Sequence, residues 1–230
     1  MTTSADDLVR IMPERLTLPT DRGPRSIDQI GLGGTPHGVV VLIEDTHDLG
    51  WRVESMNVLA QHGYESVAVT PDLAGHGWTP IADHLAARGW AAEQTAVLGI
   101  GAGGDVALQI ALEVQLAAAI SVSAHLTSVD AHFGKPLRAP WLGLFGDLDP
   151  IALADDTGDL GARLRSTSDV FSQVVRYPGV GADFYRRSSD GLSYAASYDA
   201  WQRVLEWLDA RVAPRLTPLA LAWRERSQAL

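Results

Sequence analysis

Cysteine is absent from this 230-residue chain. Its absence excludes disulfides, thiolate metal sites, iron–sulfur clusters and a thiol nucleophile. Lysine is almost absent: Lys135 is the one lysine among 18 basic residues, and 28 acidic residues leave a net charge of −10. Nucleic acid and anionic membrane surfaces both call for a basic patch, so neither is an expected partner. Long apolar runs are missing as well. The longest near the start, Val39–Ile43, suits a buried strand and is far short of a bilayer crossing. Asp6 and Asp7 stand where a secretory signal carries positive charge. The expectation is a soluble cytoplasmic protein.

What the chain does hold is apolar mass, 46% of its residues. One core can grow to about 250 residues before a chain splits, so a single α/β domain over 1–230 is expected, with 213–230 as a C-terminal tail. Apolar, β-rich runs recur at Val39–Ile43, Ser66–Thr70, Ala96–Ile100, Ala118–Ser123, Trp141–Phe145 and Gln173–Tyr177. Strands covered on both faces need such near-continuous apolar character. Between them, Trp51–His62, Gly103–Leu116 and Tyr194–Val212 place apolar residues at three- and four-residue spacing and predict helices. Alternating strands and helices imply a mostly parallel, doubly wound sheet with flanking helices. Arg15–Ile30, broken by Asp21-Arg22-Gly23-Pro24, predicts an antiparallel edge hairpin. The tail has two prolines and then an amphipathic turn or two, a place for a homodimer or protein-partner contact.

Ligands of such sheets collect outside the carboxyl ends of the strands. The candidates there are Glu44, Asp45 and His47, then Gly101 and Ala102, then His125, Asp149, Asp183 and Arg186. His76 is expected at the pocket rim. Ser121 and Ser123 fall inside a predicted strand, a poor position for a nucleophile. No H-E-x-x-H or H-x-H spacing occurs, so neither metal nor cofactor is expected.

The segment Gly99-Ile100-Gly101-Ala102-Gly103-Gly104 is a glycine turn between a strand and a helix. It overlays two templates. As G-x-G-x-x-G it is a dinucleotide fingerprint, but it does not follow the first strand, and the next strand ends Ser123-Ala124-His125 without the acid that holds a ribose. As G-x-S-x-G it is a nucleophile elbow with every small position filled and glycine at the nucleophile. Leu142–Pro150 and Arg176–Phe184 then follow like the acid-bearing and histidine-bearing loops of α/β-hydrolases.

With Val39–Glu44, Val67–Leu73 and Tyr198-Asp199-Ala200-Trp201 also in register, the chain resembles the dienelactone hydrolase (carboxymethylenebutenolidase) family from about Val39 to Leu208. The resemblance implies an α/β-hydrolase fold, and the short Gly75–Trp90 segment implies no large cap. Residue by residue, it places the family's nucleophile at Gly101, its acid at Asp149 and its histidine at Ala182. Glu44 falls on the family's glutamate beside the nucleophile, and Arg186 where some members hold a substrate carboxylate. The oxyanion donors would be the N–H groups of Ala102 and Asp45. The leading expectation is a non-catalytic protein that binds a small molecule, such as a carboxylate, or a partner. The alternative is a rewired hydrolase, lyase or isomerase using Glu44, His47, His125 or Asp149 for acid–base chemistry.

Overall fold

The computed structural model describes residues 10–44, 49–125, 135–151, 154–186, 190–216 and 218–228. Their strands form one eight-stranded sheet. Strands β1 (Glu14–Leu18) and β2 (Arg25–Ile30) make the expected antiparallel hairpin, and β2 pairs antiparallel with β4 (Tyr64–Val69). All remaining pairings are parallel, through β3 (Gly38–Ile43), β5 (Thr95–Ile100), β6 (Ala118–Val122), β7 (Trp141–Gly146) and β8 (Ser172–Tyr177). The spatial order is β1-β2-β4-β3-β5-β6-β7-β8.

Alternation along the central strands explains their unbroken apolar sequences. In β3, Val39, Val41 and Ile43 join one buried layer, while Val40 and Leu42 join the other. Helices α2 (Pro71–Gly75), α3 (Thr79–Ala87), α4 (Ala102–Glu113) and α5 (Ala154–Thr167) cover the first layer through residues such as Leu73, Ile81, Leu108 and Leu164. Helices α1 (Leu49–Gln61) and α6 (Gly191–Asp209) cover the second, through Met56, Leu59, Val204 and Leu208. With both faces covered, no polar alternation survives in the middle of the sheet.

Several expectations need adjusting. Helix α6 ends at Asp209, short of Val212, and α4 ends at Glu113, short of Leu116. Ser123 lies just beyond β6 and adopts φ +48°. The tail forms a regular helix, α7 (Pro218–Gln228), longer than a turn or two. Among the described residues no helix is long and apolar enough to cross a membrane.

Candidate functional site

The turn between β5 and α4 is shaped by sterics. Gly101 has φ +58° and ψ −123°, donates its N–H to the Val122 carbonyl at 2.9 Å, and accepts from the Gly104 N–H at 2.9 Å. A Cβ on Gly99 would sit 2.0 Å from the Gly103 carbonyl oxygen, and one on Gly103 would sit 2.0 Å from that of Ile43. Neither position accepts a side chain, because each faces backbone that cannot swing aside. At Gly101 the situation is reversed. There, among the described residues, a Cβ would meet only His125 Nε2, at 3.7 Å. The described residues therefore force the turn tight at its flanks and leave it open at its apex. Ala102 opens α4, so helix geometry leaves its N–H without an intrahelical acceptor.

His125 reaches this apex because the chain bends at Ser123. The positive φ of Ser123 is held by two bonds: its N–H donates to the Leu144 carbonyl at 2.9 Å, and its Oγ donates to the Ala182 carbonyl at 2.5 Å. Nothing local marks this bend, since serine has no special tolerance for the left-handed region. Ser121 is the buried strand residue expected, donating to the Gly104 carbonyl and accepting from Trp141 Nε1.

The loops after β7 and β8 are pressed together. Leu148 donates its N–H to the Val180 carbonyl at 2.9 Å, and a Cβ on Gly146 would meet the Gly181 oxygen at 2.4 Å. Asp149 is buried in this junction at 2% exposure. Its Oδ1 accepts from the Ile151 N–H at 2.9 Å, as a loop-capping aspartate does, but its Oδ2 is buried with no hydrogen-bond partner among the described residues. Such an orphaned acceptor typically costs about 1–3 kcal/mol.

Glu44, 1% exposed at the end of β3, is held by an arginine from α1: Arg52 Nε donates to its Oε1 at 2.8 Å. Arg52 Nη1 also donates to Asp28 Oδ2 at 3.0 Å, and Arg15 Nε to Asp28 Oδ1 at 2.9 Å. Burial pushes the Asp28 carboxyl upward, yet the bonds from Arg15 and Arg52 outweigh it and hold the group below the usual carboxylate range. Arg52 and Asp28 escape sequence reasoning because they meet Glu44 across three separate elements.

Asp183 is exposed and sits 3.6 Å from the Arg186 Nε, whose guanidinium lies near the rings of Trp51 at 5.8 Å and Tyr185 at 5.9 Å. Burial raises the Tyr185 phenol, Arg186 opposes that, and Asp183 and Glu44 add to it. Glu44, Asp183 and Arg186 thus share one local field at Tyr185. His76 caps the end of α2 and is paired with Asp72. Asp45, His47 and Arg187 lie outside the described residues.

Among the described residues, the interior beside the turn holds one small hollow. Ile100, Val122, Tyr185 and Trp201 line an apolar hollow of about 10 Å³, the space of about one water molecule. Among the described residues no group of three or more metal-ligating side chains could hold a metal ion.

Comparison with known proteins fits this geometry. The family model for the dienelactone hydrolase family matches residues 80–212, which include the turn at Gly101 and both loops. The chain belongs to the dienelactone hydrolase family. A Salmonella typhimurium protein named "Putative carboxymethylenebutenolidase" is 34% identical over 71 residues, which are 31% of this chain and 26% of that protein. The match thus spans about a quarter of that relative. Among solved structures, the chain is similar to a "Putative Dienelactone Hydrolase" from Klebsiella pneumoniae, with TM-score 0.69, 22% identity, and coverage of 86% of this chain and 98% of the other. It also resembles Thermogutta terrifontis esterase 2, with TM-score 0.71, 12% identity, and coverage of 88% and 96%. At these identities the structures establish the shared α/β-hydrolase fold. The glycine turn accordingly belongs to a hydrolase fold, and the dinucleotide template falls away.

Proposed function

We propose that this family member performs no acyl-enzyme chemistry and binds a small carboxylate-bearing molecule at the carboxyl ends of its strands, in the cytoplasm. The observation that carries the reading is the apex of the turn: Gly101 keeps an elbow conformation at positive φ while offering no Oγ or Sγ to attack a carbonyl. Ala182 stands where the family carries its histidine, and the unpartnered Oδ2 of Asp149 is in keeping with the loss of a ring N–H to orient. A hydrolase stripped of its triad retains only binding and backbone polarisation, on the order of 10³–10⁴-fold over water. Arg186 supplies the cation for a ligand carboxylate, and the Ala102 N–H the backbone donor. An exposed face at the same strand ends, or the tail helix, is the place for a second copy or a protein partner.

The test is turnover. The wild-type protein is expected to hydrolyse neither p-nitrophenyl acetate nor dienelactone above buffer background, and to resist labelling by serine-directed fluorophosphonate. Gly101→Ser combined with Ala182→His is expected to gain measurable esterase activity. A well-folded double variant that stays inert would overturn the assignment of these two positions.

The position of His125 favours one second reading. Its Nε2, next to the open apex, is placed to take a proton from a water there. The resulting hydroxide would attack the ester carbonyl, and the imidazolium would return the proton to the departing alkoxide. Esterase activity in the wild-type protein that disappears in His125→Ala would establish this reading and displace the first.

A further inference from the structure

A second cavity lies at the opposite end of the sheet, between the C-terminal half of α6 and the start of β8. It is an open groove of about 200 Å³, room enough for a single aromatic ring, since a cavity of roughly 150 Å³ accommodates benzene in a protein core. From Gln173 on its wall, β8 runs four residues to Tyr177 at the catalytic-loop end, roughly 13 Å at strand rise. The two sites do not share residues.

The walls combine flat apolar surface with one uncommitted cation. Phe171 and Trp207 are stacked at 5.7 Å with 29° between their planes, and Phe171 remains 59% exposed. The Arg211 guanidinium lies 3.4 Å over the Trp207 ring and 5.5 Å from that of Phe171. Stacking occupies the face of a guanidinium and leaves its in-plane N–H donors free for a planar oxyanion. The other arginine on the wall, Arg203, is already committed to Asp199 through a 2.6 Å bond. No carboxylate among the described residues pairs with Arg211, and burial alone depresses its pKa. In a chain with a ten-charge excess of acid, a half-buried guanidinium left without an acid is conspicuous. Glu206, on the same wall, disfavours a dianion such as a phosphate monoester and leaves a monoanion as the better fit.

We propose that this cavity binds a small, single-ring carboxylate, its ring against Phe171 and Trp207 and its carboxylate on the edge of Arg211. The site is independent of the turn at Gly101, and its occupancy needs no turnover.

Benzoate is the probe and tryptophan fluorescence or calorimetry the readout. A saturable signal with Kd of about 1 mM is expected, weakened at least tenfold in Arg211→Gln and in Phe171→Ala. The neutral isostere benzamide is expected to bind at least tenfold more weakly. Arg186→Gln, at the other end of the sheet, is expected to leave benzoate binding unchanged. Phe171 is exposed, so its variant stays folded should Arg211→Gln not. Absence of saturation, equal binding of benzamide, indifference to both Arg211 and Phe171, or loss of binding in Arg186→Gln would each overturn the proposal.

Discussion

The turn at Gly101 and the loop at Ala182 lie side by side at the carboxyl edge of the sheet, bridged by the bend at Ser123, yet they are specified in different ways. The turn is defined by excluded volume: side chains at Gly99 and Gly103 would each approach a backbone oxygen to 2.0 Å. The loop after β8 is shaped by hydrogen bonds, from Ser123 Oγ to the Ala182 carbonyl and from the Leu148 N–H to the Val180 carbonyl. Excluded volume is indifferent to whether a nucleophile stands at the apex. The junction around Asp149 is not so indifferent, since it holds a buried carboxylate oxygen with no donor among the described residues. Steric geometry thus does not depend on the side chain at the apex, while geometry shared with a side chain leaves its mark on the neighbouring groups.

The largest expected effect lies within the turn. In Gly103→Ala the new methyl meets the Ile43 carbonyl, so β3 or α4 must move, and a loss of about 4 kcal/mol or more is expected. Gly101→Ala introduces only the strain of a positive φ, about 1–2 kcal/mol, because the space there is open. At roughly 2–4 °C per kcal/mol for a chain of this size, thermal melts separate the two by several degrees. Equal melting temperatures would break the steric account of the turn.

A somewhat smaller effect is expected at the ion network behind the turn. Arg52→Met strips Glu44 and Asp28 of their shared cation, and removing one partner of a buried pair costs about 3 kcal/mol. The pH dependence follows from the lowered pKa of Asp28. A depressed carboxyl contributes stability that is complete above its unfolded value near pH 4 and is lost as pH falls through its folded value. The melting-temperature gap between wild type and Arg52→Met is therefore expected to be widest near neutral pH and to narrow below about pH 4. A gap that widens on acidification would contradict the network.

These two cases also mark what a linear sequence can convey. Strand positions and the order of the loops are legible because burial on both faces writes itself as local apolar runs; β3, β5, β6, β7 and β8 fall within a residue or two of expectation. Gly101, Asp149 and Ala182 are singled out by register with a family pattern, and the structure places Gly101 at the positive-φ apex of a strand-to-helix turn. Arg52 is not singled out, because its partners Glu44 and Asp28 come from β3 and β2, and no spacing rule joins three elements. Nor is Ser123, whose φ of +48° is imposed by bonds to Leu144 and Ala182 and by nothing in its own side chain. Helix α5 is faint for another reason: its sequence carries two glycines, Gly158 and Gly161, and Leu160 and Leu164 are the buried apolar anchors described in it.

The smallest effect is the most informative about the loop. Asp149→Asn keeps an oxygen for the Ile151 N–H and removes a buried charge whose second oxygen has no partner, so a change within about 1 kcal/mol, in either direction, is expected. Ala182→His offers that oxygen a donor. If the loop still presents position 182 toward Asp149, the two substitutions are coupled: the histidine stabilises the wild-type acid by about 1 kcal/mol more than it stabilises the asparagine. Four melting curves close this cycle without any activity assay. A coupling of zero would mean that the bond from Ser123 to the Ala182 carbonyl has turned the loop away. The loop would then no longer present position 182 to Asp149, and only the turn at Gly101 would still carry the hydrolase geometry.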